Sequence, residues 1–259
     1  MKLEVTPVVK IQLRLFISTI IILISVSSTE ADTIYNIIKI PNLEIYKIDN
    51  SNGLKYLRAT KPFQVGIRND NVTCFNSDIK NIEKKFQLIQ KNLNIYQPNF
   101  LKKINLKYIV LCENLSVSEI DAAGVPNFKM KTLIIDINFN KKYFERIIHH
   151  EVFHIINDSF KDYFNEKEWK SYNPKNFEYA ECSTCSDRIN LSTIKKTNGF
   201  LTEYSMSTAS EDMAEVFSFL VYDKKKVDEK LINDAILKNK TSFIKNNIIK
   251  ISNNFSFSK

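Results

Sequence analysis

Apolar residues fall into a few periodic runs along the chain. Over residues 78–95, Ile79, Ile82, Phe86, Ile89 and Leu93 recur every three or four positions, which predicts an amphipathic helix. Residues 106–112, with Leu106, Tyr108, Val110 and Cys112 at alternate positions, predict a strand. The β-branched run at 131–138 predicts another, after a loop with Gly124 and Pro126. Residues 33–75 read as short extended segments with turns at 50–53 and 69–71. Residues 141–158 (KKYFERIIHHEVFHIIND) are apolar almost all the way round, which predicts a buried helix rather than a surface one. A long loop with short helical pieces is expected over 159–200, then a helix at 209–222 and a C-terminal helix near 226–250. Strands first and helices after give an α+β layout.

The chain has 259 residues, 44% of them hydrophobic, enough for one domain with its own core over 32–259. The first 31 residues have a different character. Lys2, Lys10 and Arg14 precede the apolar run from Leu15 to Val26, which ends in the small residues Ser27, Ser28 and Ala31. That is the layout of a secretory signal peptide, and the run is short for a membrane span. The expectation is a secreted or periplasmic protein, with a membrane partner only if this segment stays attached as an anchor.

Export permits disulfides. Cys74, Cys112, Cys182 and Cys185 allow three full pairings, and proximity favours Cys74–Cys112 with Cys182–Cys185. The formal charge is +8, but its densest run is only Lys224–Lys226. A nucleic-acid site needs clustered cations with aromatics among them, so no nucleic-acid partner is expected.

All three histidines, His149, His150 and His154, lie within six residues on the buried helix. The string from His150 to His154 is an HExxH motif. Residues four apart share a helix face, so two imidazoles can meet on one zinc ion. Glu151 lies about 100° further round, where its carboxylate can act as general base without ligating the metal. His149 is turned the other way and is expected on the helix surface or behind the ligands.

A catalytic zinc needs a third protein ligand, and no histidine remains to supply it. The best candidate is Glu211, with Glu215 one turn later among Met213, Ala214, Val216 and Phe217. Thr208-x-x-Glu211 also fits a helix capping box, which would explain Glu211 but not Glu215. Glu215 and Asp158 are the candidates for hydrogen-bonding the outer nitrogens of the ligating histidines.

At these residues the chain resembles the gluzincin metallopeptidases, in particular the catalytic domain of anthrax lethal factor and related secreted enzymes. The pattern Y-x6-E-x-x-A-E-x-F is met by Tyr204, Glu211, Ala214, Glu215 and Phe217, and the likeness spans about residues 149–222. The stretch from Trp169 to Tyr179 is also similar to a segment of exported bacterial zinc-binding peptidases. The family's glycine before the second histidine is Phe153 here.

The resemblance implies a zincin-like fold, with a mixed or antiparallel sheet packed on the HExxH helix. It implies one zinc per chain at His150, His154 and Glu211, with Glu151 as base. Tyr204 would donate to the oxyanion, and a protein or peptide would be the substrate. It further implies that the strand at 131–138 is the edge along which an extended substrate pairs. The rival readings are a non-catalytic exported zinc-binding protein and a basic membrane-anchored protein with an accidental HExxH.

Overall fold

A computed structural model describes residues 42–65 and 72–257. The signal-like segment and the turn at 69–71 lie outside the described residues, and among those described no helix is long and apolar enough to cross a membrane. The architecture is α+β. Four strands come first: β1 (Leu43–Ile48), β2 (Lys55–Ala59), β3 (Phe63–Val65) and β4 (Val72–Phe75). Two helices follow, α1 (Ile79–Leu93) and α2 (Pro98–Lys103). Then come β5 (Tyr108–Val117), β6 (Ile120–Asp121), β7 (Gly124–Asn127) and β8 (Thr132–Asp136). The chain finishes with helices α3 (Phe144–Ser159), α4 (Glu166–Ser171), α5 (Ala209–Tyr222), α6 (Lys224–Leu231) and α7 (Ala235–Ile251). Strands therefore do not all precede helices, because α1 and α2 intervene.

The sheet is mixed and built around β5. The first half of β5 runs parallel to β2 on one side and to β8 on the other; its second half pairs antiparallel with β4 and β6. The change of partners falls at Asn114, which takes a left-handed backbone (φ 53°). Asp136, at the end of β8, holds this bend by accepting the amides of Asn114 at 3.1 Å and Leu115 at 3.3 Å. Both faces of the sheet are covered. Ile109, Leu111, Leu133 and Ile135 join the main core with the helices. Tyr108, Val110, Cys112 and Ile134 face a smaller core with Leu57, Phe63 and Cys74. Alternation thus sends odd and even positions of β5 to two different interiors.

Two expectations are corrected. The strand at 131–138 is not an edge: β8 lies between β5 and β7, and it is β7 that pairs with β8 alone among the described residues. The single C-terminal helix is two: α6 ends at Leu231 and Asp234 starts α7. Its carboxylate caps Leu237 N at 2.9 Å and also accepts Gly199 N at 2.7 Å.

The expected disulfides are both present, Cys74–Cys112 joining β4 to β5 and Cys182–Cys185 closing a tight loop. Their sequence separations are 38 and 3 residues. Loop-closure entropy then gives about 4 kcal/mol for the first and about 2 kcal/mol for the second. Replacing each pair by alanine should lower denaturant stability in that order; equal losses would show that loop entropy does not govern these bonds here.

Candidate metal centre

Helix α3 is buried along most of its length, including His149 and His150, and packs against α5 and β7. Helix α5 begins at an N-cap where Thr208 Oγ1 accepts Glu211 N at 3.2 Å. The cap leaves the Glu211 side chain free of the reciprocal bond, and it turns instead to α3. Glu211 Oε2 lies 2.8 Å from His150 Nε2 and 3.2 Å from His154 Nε2, and the two ring nitrogens are 3.1 Å apart. A tetrahedral zinc with bonds of about 2.0–2.1 Å spaces its ligand atoms about 3.3 Å apart. The triad therefore fits the ion closely, and it is a set of three donors able to hold one metal.

The surroundings fix the donors. His150 Nδ1 bonds Glu215 Oε1 at 2.9 Å, which keeps a proton on Nδ1, so that Nε2 is the nitrogen a metal would take. Glu215 is fully buried and also accepts from Arg146, one turn before His150 on α3, and from Thr202 Oγ1 at 2.7 Å. Arg146 offsets the buried carboxylate charge and reaches Leu191 O at 3.3 Å, on the wall of the cleft. His154 Nδ1 meets Ser210 Oγ at 3.3 Å.

Burial alone would raise the Glu211 carboxyl; the two facing imidazoles outweigh it and hold it well below the usual carboxylate range. Burial opposes charge on His150 as well, yet Glu211 and Glu215 on either side push it up to about 10. Glu151 is pushed up to about 7, chiefly by burial, with the nearby histidines pulling down and Glu211 and Glu215 pushing up. The Tyr204 ring sits 5.8 Å from that of His150. Burial, then the charges of Glu211 and Glu151, raise its hydroxyl far above the ordinary tyrosine value, so it stays a donor.

Glu151 faces the cleft against β7. A Cβ added at Gly124 would come within 2.7 Å of Glu151 Cγ and 3.1 Å of Ile134 O, so glycine lets the strand backbone approach the carboxylate side chain. The cleft has a volume of about 820 Å³, with Val125, Ile189, Leu191 and Tyr204 among its walls.

Two residues lie elsewhere than expected. His149 is neither on the surface nor behind the ligands. It is buried toward α1, with Nδ1 2.8 Å from the Tyr96 hydroxyl and Nε2 3.0 Å from Asn92 Oδ1; burial pushes it down to about 3, so it is neutral. Asp158 is exposed at the cleft rim and faces Lys161 at 3.5 Å, not a histidine. Arg146, Thr202, Ser210 and Gly124 were not singled out in the sequence. Of these, Arg146 alone carried a signal, as a lone cation four residues before His150 on an apolar helix.

The fold and this cluster together define an α+β protein with a candidate site for one metal ion. The chain belongs to the family described as putative zinc-binding metallo-peptidase, whose sequence profile matches residues 84–253. A crystal structure of a putative zinc-binding metallo-peptidase from Bacteroides caccae ATCC 43185 is similar over 72% of this chain and 75% of that one, at 17% identity and a TM-score of 0.46. No curated protein matches.

Ligation by His150 would need its free Nε2, whereas two carboxylates hold a proton on the metal-free ring. Zinc affinity should therefore rise with pH between about 6 and 9, roughly tenfold per unit if one proton is displaced, with protons released on binding. Calorimetry in buffers of different ionisation heat would measure this; an affinity independent of pH would remove His150 from the ligand set.

Proposed function

We propose that the chain is an exported zinc-dependent peptidase with a zincin-like catalytic fold, in which His150, His154 and Glu211 hold the zinc. The observation that carries this reading is the convergence of those three donor atoms beside the half-buried carboxylate of Glu151, which lines a cleft. When bound, zinc would supply a Lewis acid for the scissile carbonyl and make water a better nucleophile at neutral pH.

The remaining work falls to the chain's own groups. Glu151 takes the proton of the attacking water and hands it to the leaving nitrogen, a role suited to a carboxyl pushed up to about 7. Tyr204, kept protonated, donates to the oxygen that gains charge. Glu215 holds the ring of His150 in the ligating tautomer. The edge strand β7 offers its unpaired side to an extended peptide, and Gly124 brings that strand beside the base. The cationic start and apolar run at Leu15–Val26 support delivery to the periplasm or medium.

Three variants test the assignment. Glu211→Ala should lose most of the bound zinc. Glu151→Gln should keep about one zinc per chain and lose hydrolysis by at least about a hundredfold. Full turnover with Glu151→Gln would sink the mechanism, and zinc with no turnover on any protein substrate in wild type would favour a non-catalytic binder.

Gly124→Ala should keep its zinc and lower kcat about tenfold or more, because the new methyl displaces the base. An unchanged kcat would show that Glu151 acts from another position.

A further inference from the structure

Asp212 follows Glu211 on α5, so its side chain is turned about 100° from the Glu211 direction. Its carboxylate is fully buried and enters a polar knot. Oδ2 accepts from Trp169 Nε1 at 2.9 Å, the Tyr179 hydroxyl at 2.6 Å and Lys240 Nζ at 2.6 Å. Lys240, on α7, is also fully buried. It donates to Gly199 O at 2.9 Å and lies 3.9 Å from the centre of the Phe200 ring. Among the described residues, Asp212 Oδ1 has no hydrogen-bond partner. The proposed reaction uses neither residue.

A fully buried ion pair is a poor way to gain stability, because desolvating each charge is expensive and apolar residues of similar volume often hold a core as well or better. Direction is what such a pair supplies. Three donors converging on one oxygen accept a single setting of the helix, whereas an apolar contact tolerates slippage. Here the donors come from α4, from Tyr179 in the segment after it, and from α7, so three separate pieces of chain grip the first turn of α5. Helix α5 packs on α3 and also on α7, and the grip acts from the α7 side.

We propose that the Asp212–Lys240 pair is a positioning device that sets the rotation of α5 so that Glu211 faces His150 and His154. This rests on reading those three residues as zinc ligands. With side chains reaching about 5–6 Å from the axis, a turn of about 10° moves a carboxylate by about 1 Å. Metal–ligand distances tolerate only about 0.2 Å. A small loss of angular definition therefore reaches the metal before it reaches the fold.

The test uses the full mature chain, with zinc affinity measured by competition with a chromophoric chelator and site geometry read from the visible spectrum of the cobalt-loaded protein. Asp212→Leu combined with Lys240→Met should fold with a cooperative thermal transition, bind zinc at least about tenfold more weakly and show an altered cobalt spectrum. Zinc affinity within about twofold of wild type, with an unchanged cobalt spectrum, would overturn the proposal.

If the double variant does not fold, Tyr179→Phe decides. It removes one donor at a half-buried position and should weaken zinc about threefold; unchanged affinity overturns the proposal. A wild type that binds no zinc would overturn the ligand assignment and this inference together, whereas equal affinity in wild type and variant overturns this inference alone.

Discussion

Two imidazoles and two carboxylates meet between α3 and α5, His150 and Glu215 buried and His154 and Glu211 half-buried, and the structure around the cleft answers to that constraint. In an apolar interior none of these groups is tolerable alone. Each therefore has a partner: Glu211 meets both rings, Glu215 meets His150, and Arg146 and Thr202 complete Glu215. The partners come from α3, α5 and the segment before α5, so the polar cluster also decides how these pieces are joined. A divalent ion held there would add positive charge beside the two carboxylates.

The sheet serves the same end from the other side. Because β5 changes partners at Asn114, the strands on its two halves diverge, and Asp136 fastens the divergence at the end of β8. The chain leaves β6 and returns as β7, antiparallel to β8 and against α3. Gly124 then stands where a side chain would collide with Glu151. One face of α3 is committed to α1 through His149, another to α5 through His150 and His154, and a third to the cleft through Glu151.

Much of this was legible because it is local. Helical periodicity located α1, α3 and α5, and an HExxH on a helix fixes which side chains share a face. Glu211 and Glu215 stood out because two carboxylates one turn apart among apolar neighbours need a reason. What escaped depends on partners distant in sequence. Nothing near His149 says that Tyr96 and Asn92 will meet it, so its burial was missed. Asp158 sits four residues after His154, but α3 is ending there and its carboxylate turns to Lys161 and solvent. The strand at 131–138 has the composition of an edge or a centre equally well, and only pairing with both β5 and β7 decides. Gly124 gave no cue, since its clash is with a residue 27 positions away in the chain.

The outer side of β7 limits how much backbone a bound peptide could share with the sheet. Asp136 N donates to Ala123 O, so by alternation Val125 also points toward β8, while Gly124 and Pro126 point away. Proline has no N–H, which is tolerable only on an unpaired side. The outward template is therefore one donor and one acceptor at Gly124, followed by a lone acceptor at Pro126. A peptide aligned there would be held through about two residues of main chain, so its length would be read poorly and its side chains, against walls such as Ile189 and Leu191, would carry the discrimination.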